Sequence, residues 1–100
     1  NVSNLNSNDA IFIMSVGGGS IEKKVSLNIV EAINYAIQTN SRIYGIVGPH
    51  GGYTSQKGDI VINIPNVDDN LITPHTEGFA AITWHSIVSN PIIQINKTKW

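Results

Sequence analysis

Apolar positions along the chain fall into two patterns: short continuous runs, and longer stretches in which apolar residues recur every three or four positions. The continuous runs predict three strands, at residues 10–15, 43–47 and 60–64. The first of them is typical of a strand covered on both faces, as in a parallel sheet. The three- and four-residue spacing predicts helices over residues 26–39 and 76–88. Strands that alternate with helices indicate an α/β fold with right-handed crossovers.

A glycine-rich segment, SVGGGS at residues 15–20, follows the first predicted strand and precedes the first helix. In open parallel sheets, ligands bind beyond the carboxyl ends of the strands. Unpaired N–H groups at a helix start attract anions, glycine allows close approach to the backbone, and serine adds a hydroxyl donor. We therefore predict a phosphate-binding loop, with a flexible turn as the alternative. The segment lacks the Gly-Lys-Ser ending of a P-loop, and the chain has no GxGxxG pattern, which argues against a nucleotide or flavin binder.

Composition narrows the class of partner. The 100 residues suit one domain, and 41% hydrophobic with 13% charged residues is typical of a globular chain. The formal charge is −1 and the basic residues are scattered, so we expect no nucleic-acid partner. No apolar run is long enough to cross a bilayer, so we expect no membrane partner. The chain has no cysteine, which fits a reducing compartment, and we expect a cytoplasmic protein.

Four segments carry a specific resemblance: DAIFIMSVGGGS, YGIVGPHGGYT, VINIP and TPHTEGFAAITWHSIVSNP, in this order. Together they resemble the second half of a sugar isomerase (SIS) domain of the phosphoheptose isomerase group, over essentially the whole chain. The resemblance implies a three-layer, flavodoxin-like parallel sheet flanked by helices. It also implies a sugar phosphate substrate such as sedoheptulose 7-phosphate, and a homo-oligomer, either a dimer or a tetramer.

The glycine-rich segment matches the family's phosphate-binding loop at some positions and differs from it at others. Ser15 matches the first phosphate-binding serine of the family, whereas Val16 and Gly17 replace the next two hydroxyl residues. Residues 20–25 resemble an insertion, so either Ser20 or Ser26 could supply the final serine, and Ser26 is also the expected N-cap of the first helix. The resulting phosphate-binding set, called the predicted phosphate set below, consists of Ser15, Gly17, Gly18, Gly19, Ser20 and Ser26.

Two residues of the last predicted helix carry the expected chemistry. The resemblance places His85 on the family's acid/base histidine, and Glu77 where the family has a glutamine that helps hold a metal or the sugar. Isomerisation of a ketose to an aldose moves a proton between adjacent carbons, and an imidazole that titrates near neutral pH can serve as acid and base. The resemblance leaves open whether Glu77 and His85 bind zinc. Without it, His85 is interpreted as a packed histidine and Glu77 as a carboxylate that complements the helix dipole.

Two further expectations complete the sequence-based picture. A non-catalytic phosphosugar-binding module, such as a regulatory sensor, is the alternative function, and the loss of loop hydroxyls favours it. The first strand is too apolar for a bare sheet edge, so we expect another part of the protein to pair with it or cover it. The chain, residues 1–100, is then expected to be the C-terminal part of one SIS domain in a protein near twice as long, and to be active only within it.

Overall fold

The computed structural model describes residues 4–97 and residue 99, so residues 1–3, 98 and 100 of the predicted domain lie outside the described part. Its elements, in chain order, are β1 (Ala10–Ser15), α1 (Leu27–Gln38), β2 (Arg42–Val47), α2 (Gly52–Lys57), β3 (Ile60–Asn63) and α3 (Ile72–Val88). The strands form one parallel sheet in the order β1-β2-β3. The predicted α/β class, with a three-stranded parallel sheet flanked by helices, is confirmed.

One face of the sheet is covered by α1 and α2. The buried positions of α1 recur every three residues, which places Ile33 and Ala36 on one stripe. This stripe packs on Ile13 of β1 and Ile43 of β2 to form the first core cluster. Right-handed crossovers between successive strands place both connecting helices on the same side, and α2 contacts α1 and β2 there.

On the opposite face of the sheet, α3 packs on β2. Ala80 of α3 packs with Ile46 of β2 and Ile64 to form the second core cluster, and Trp84 lies against it. Ile46 and Ile43 belong to different clusters because side chains along a strand alternate between the two faces. No helix in the described part of the chain is long and apolar enough to span a lipid bilayer.

Strand β1 is less covered than the sequence predicts. Within residues 10–15 only Ile13 is buried, whereas Phe12 is 48% exposed and Met14 is 55% exposed. The expectation that both faces of this strand are buried is therefore wrong for the described residues. The physical reason is that α3 packs mainly on β2, and a cavity and a groove separate it from Met14 and Phe12 of β1.

Helix α3 begins at Ile72, four residues before the predicted start at residue 76. The predicted start is too late because it was placed after Pro74. Proline is tolerated in the first turn of a helix, where the N–H groups have no partner within the helix. Helix α2 was not predicted, since its sequence GYTSQK is short and polar and has no helical apolar spacing.

Ser26 directly precedes α1, as predicted, but it does not cap the helix with its side chain. Its backbone is left-handed, with φ of 50°, and its hydroxyl makes no capping hydrogen bond. The Ser26 carbonyl oxygen instead accepts the N–H of Ile29 at 3.0 Å. The prediction of a side-chain cap is wrong because this backbone conformation differs from the extended one in which a serine hydroxyl reaches the first turn.

The first core cluster gives a direct test of the packing. Ile33 is fully buried, at 0% exposure, while Ile37 on the same helix is 47% exposed. We expect Ile33→Val to lower the free energy of unfolding by about 1 kcal/mol, because one buried methyl group is lost. Such a loss corresponds to a fall of about 4–8 °C in melting temperature for a domain of this size. Ile37→Val is the matched control and should leave the melting temperature unchanged.

Candidate functional site

The glycine-rich segment forms a tight turn at the carboxyl end of β1. The Gly18 N–H donates to the Ser15 hydroxyl oxygen at 3.0 Å, which holds Ser15 against the turn. Gly18 and Gly19 have positive φ angles of 71° and 84°, which glycine adopts without strain. Since the Ser15 hydroxyl accepts this bond through its oxygen, its proton can be donated to a ligand.

The turn is joined to the loop that starts α2. The Gly18 carbonyl oxygen accepts the Thr54 N–H at 3.0 Å and the Thr54 hydroxyl at 2.8 Å, and the Gly19 carbonyl oxygen accepts the Tyr53 N–H at 2.8 Å. A Cβ on Gly18 would collide with the Gly51 carbonyl group. Backbone packing between two loops is thus a reason for glycine at position 18. The N–H groups of Tyr53 and Thr54, in the first turn of α2, are hydrogen-bonded within the protein.

A cavity of about 180 Å³ lies between the carboxyl ends of β1 and β2 and residues 76–84 of α3. We call it the α3 cavity. It brings together Ser15 and Glu77, which the sequence analysis selected from parts of the chain more than sixty residues apart. Its lining residues are Met14, Ser15, Val16, Ile46, Thr76, Glu77, Ala80, Ala81 and Trp84.

Two residues of the α3 cavity were missed as site residues by the sequence analysis. Neither Thr76 nor Trp84 is among the site residues that the sequence predicts. The signal that could have found them is helical spacing: Thr76, Ala80 and Trp84 recur every four residues and so share one face of α3. This is the face that packs on the sheet.

His85 lies beside the cavity without lining it. Its imidazole stacks on the Trp84 ring, with 3.7 Å between ring centroids and 25° between planes, and the Trp84 ring lines the cavity. His85 itself is exposed. It lies eight positions after Glu77 on the helix, which corresponds to about 12 Å along the axis. The two predicted catalytic residues are therefore at opposite ends of the cavity-bearing part of α3.

The predicted phosphate set is divided between different surroundings. Gly19 and Ser20 line a second cavity of about 220 Å³ against the start of α2, not the α3 cavity. The Ser20 hydroxyl oxygen accepts the Lys23 N–H at 3.1 Å. Gly17 is exposed, and Ser26 is exposed at the start of α1. Only Ser15 of this set shares a cavity with Glu77.

Residues 4–97 and 99 do not form a metal centre by themselves. They contain no group of three or more histidine, aspartate or glutamate side chains placed to hold a metal ion. Glu77 and His85 are separated along α3, and His85 faces Trp84. Zinc sites need three or four ligands, so these residues do not fit a zinc ion, and the chemistry proposed below uses none.

The comparisons with known proteins add no family assignment. No protein-family model matches the chain, and the search of curated proteins finds no match.

Proposed function

We propose that the protein is a phosphosugar isomerase that interconverts the ketose and aldose forms of a sugar phosphate such as sedoheptulose 7-phosphate. The observation that carries the proposal is the meeting of Ser15 and Glu77 in one cavity at the carboxyl ends of parallel strands. This is the edge of an α/β sheet at which ligands bind. A hydroxyl donor and a carboxylate within one cavity suit a ligand that carries both an anionic group and hydroxyl groups.

The residues divide the chemistry between them. Ser15, at the turn of the glycine-rich segment, donates its hydroxyl proton to the phosphate. Glu77 accepts hydrogen bonds from sugar hydroxyls. His85 removes a proton from C1 of the ketose and returns it to the C2 oxygen, which gives an ene-diol. His85 then removes the proton of the C1 hydroxyl and delivers it to C2, which gives the aldose. His85 reaches the sugar along the rim of the cavity that Trp84 forms.

Turnover by the unmodified protein is the direct test. We expect the full-length protein, incubated with sedoheptulose 7-phosphate, to form the aldose heptose phosphate at a rate proportional to protein concentration. Aldose formation is followed by nuclear magnetic resonance of the anomeric protons, with heat-denatured protein as the control. Binding of the sugar phosphate without aldose formation would refute the isomerase.

A non-catalytic phosphosugar-binding module is the second candidate. It is favoured by two observations: His85 does not line the α3 cavity, and Val16 lines it where the family pattern has a hydroxyl residue. A sensor of this kind binds the sugar phosphate and releases it unchanged. The turnover assay above separates the two functions, because only the isomerase equilibrates ketose and aldose.

We further propose that the protein acts as a homo-oligomer in the cytoplasm. The sheet face beside α3 supports the oligomer, because an apolar groove of about 380 Å³ runs along it. Its lining residues are Phe12, Tyr44, Gly45, Ile46, Ile60, Ile62, Ile87 and Ile93. Exposed apolar patches of this kind are typical of contact surfaces between protein chains.

A further inference from the structure

Thr76 lines the α3 cavity, and its hydroxyl is buried without a hydrogen-bond partner among the described residues. Thr76 is 2% exposed, and its Oγ1 forms no hydrogen bond with any residue that the structure describes. A buried hydroxyl without a partner costs about 1–3 kcal/mol, and most buried polar side chains are therefore hydrogen-bonded. The Thr76 hydroxyl therefore needs a hydrogen-bond partner from outside the described residues.

Other hydroxyl residues of α3 show that the helix itself offers a partner. The Thr83 hydroxyl donates to the Phe79 carbonyl oxygen at 2.7 Å, and the Ser86 hydroxyl donates to the Ile82 carbonyl oxygen at 2.8 Å. Both use the carbonyl group four residues earlier, as is common for hydroxyls within helices. Thr76 does not make this bond, so its hydroxyl is not satisfied within its own helix.

The Thr76 hydroxyl lies next to the end of β2. A Cβ on Gly48 would lie 3.1 Å from Thr76 Oγ1, so this hydroxyl lies beside the backbone that follows the strand. The same cavity presents the Glu77 carboxylate and the Trp84 ring. A hydroxyl, a carboxylate and an aromatic surface are the groups that suit a carbohydrate, whose hydroxyls form hydrogen bonds and whose C–H groups pack on an apolar ring.

Charge decides which end of a sugar phosphate suits this cavity. The lining of the α3 cavity contains the Glu77 carboxylate and no lysine or arginine among the described residues. A carboxylate repels a phosphate group at short distance and accepts hydrogen bonds from sugar hydroxyls. The uncharged polyol end of the ligand therefore fits the side of the cavity formed by α3, which carries Thr76 and Glu77, while Ser15 of β1 is left to bind the phosphate.

We propose that Thr76 is a substrate-binding residue whose Oγ1 hydrogen-bonds a hydroxyl of the sugar in the α3 cavity. This inference rests on the proposed sugar phosphate ligand and adds to it the residue that recognises the polyol end. Binding supplies the partner that the Thr76 hydroxyl lacks, so a sugar with a hydroxyl at the matching position is preferred over its deoxy analogue.

Three variants of α3 test the inference, with binding of sedoheptulose 7-phosphate measured by isothermal titration calorimetry. Thr76→Val keeps the shape of the side chain and removes the hydroxyl, and we expect it to raise Kd about tenfold. Thr76→Ser keeps the hydroxyl and should bind within about threefold of the unmodified protein. Thr83→Val is the matched control: its hydroxyl is bonded within the helix, so its loss should leave Kd unchanged.

The melting temperature of the ligand-free protein separates a binding role from a structural one. We expect Thr76→Val to keep or raise it, because removal of an unpaired buried hydroxyl costs no hydrogen bond. Equal Kd values for Thr76→Val and the unmodified protein would overturn the inference, as would a melting temperature several degrees lower. Absence of sugar phosphate binding by the unmodified protein would overturn it too. Binding that depends on Thr76 without turnover would support the inference and refute the isomerase.

Discussion

Replacement of His85 with alanine is expected to lower kcat for the conversion of ketose to aldose by about 10²- to 10⁴-fold, the usual contribution of a general acid or base. The expected KM is nearly unchanged, because the His85 imidazole lies outside the cavity that binds the sugar. The fold should persist, since His85 is exposed and its main contact is the stacked Trp84 ring. Steady-state kinetics and circular dichroism of the variant are the measurements.

Ser86→Ala is the matched control for His85→Ala. Ser86 is the next residue of α3, is exposed, and bonds its hydroxyl to the Ile82 carbonyl oxygen within the helix. Its loss should change kcat less than twofold. If His85→Ala turned over sugar phosphate at the unmodified rate, the acid/base role would belong to another residue even if the isomerase activity were real.

Replacement of Gly18 with alanine is expected to cause the largest loss of stability of the substitutions discussed, about 3 kcal/mol. Two costs add up: a left-handed backbone is unfavourable for alanine by about 1–2 kcal/mol, and forcing a methyl group into a filled space costs about 1–3 kcal/mol. Gly18 has φ of 71°, and the added Cβ would collide with the Gly51 carbonyl group. Urea denaturation of both proteins gives the difference in the free energy of unfolding.

Gly17→Ala tests the same segment without either cost. Gly17 has no positive φ, and an added Cβ would meet no atom within 4 Å. We expect a change in the free energy of unfolding of less than about 0.5 kcal/mol, as for other exposed positions. Equal destabilisation by the two alanine substitutions would show that the contact between the two loops is not what requires glycine at Gly18.

The sequence pattern predicts the strands and the class of fold because their signals are local. Continuous apolar runs define β1, β2 and β3 to within one residue at each end. The burial of β1 was overestimated, because apolar residues show that a strand can be covered but not which strand a helix will cover. The placement of α3 over β2 depends on contacts between distant segments, which no local pattern contains.

The candidate site was predicted only in part, for a similar reason. The sequence selects Ser15 and Glu77 separately, and the fold brings them together at one cavity. The triple glycine suggested an anion-binding loop, but the structure shows that Gly18 and Gly19 are also constrained by bonds to Thr54 and Tyr53. Both a phosphate and a second loop require glycine for close approach to the backbone, so the sequence does not distinguish the two roles.

Strand β1 lies at the edge of the sheet, and its neighbour on one side is β2. Its outer backbone groups, together with the half-exposed Phe12 and Met14, form a template on which another extended segment can add as a fourth strand. Refolding yield should therefore fall steeply as protein concentration rises, since encounters between such edges compete with folding. Lysine at position 12 would reduce that competition by placing a charge where the next strand has to approach.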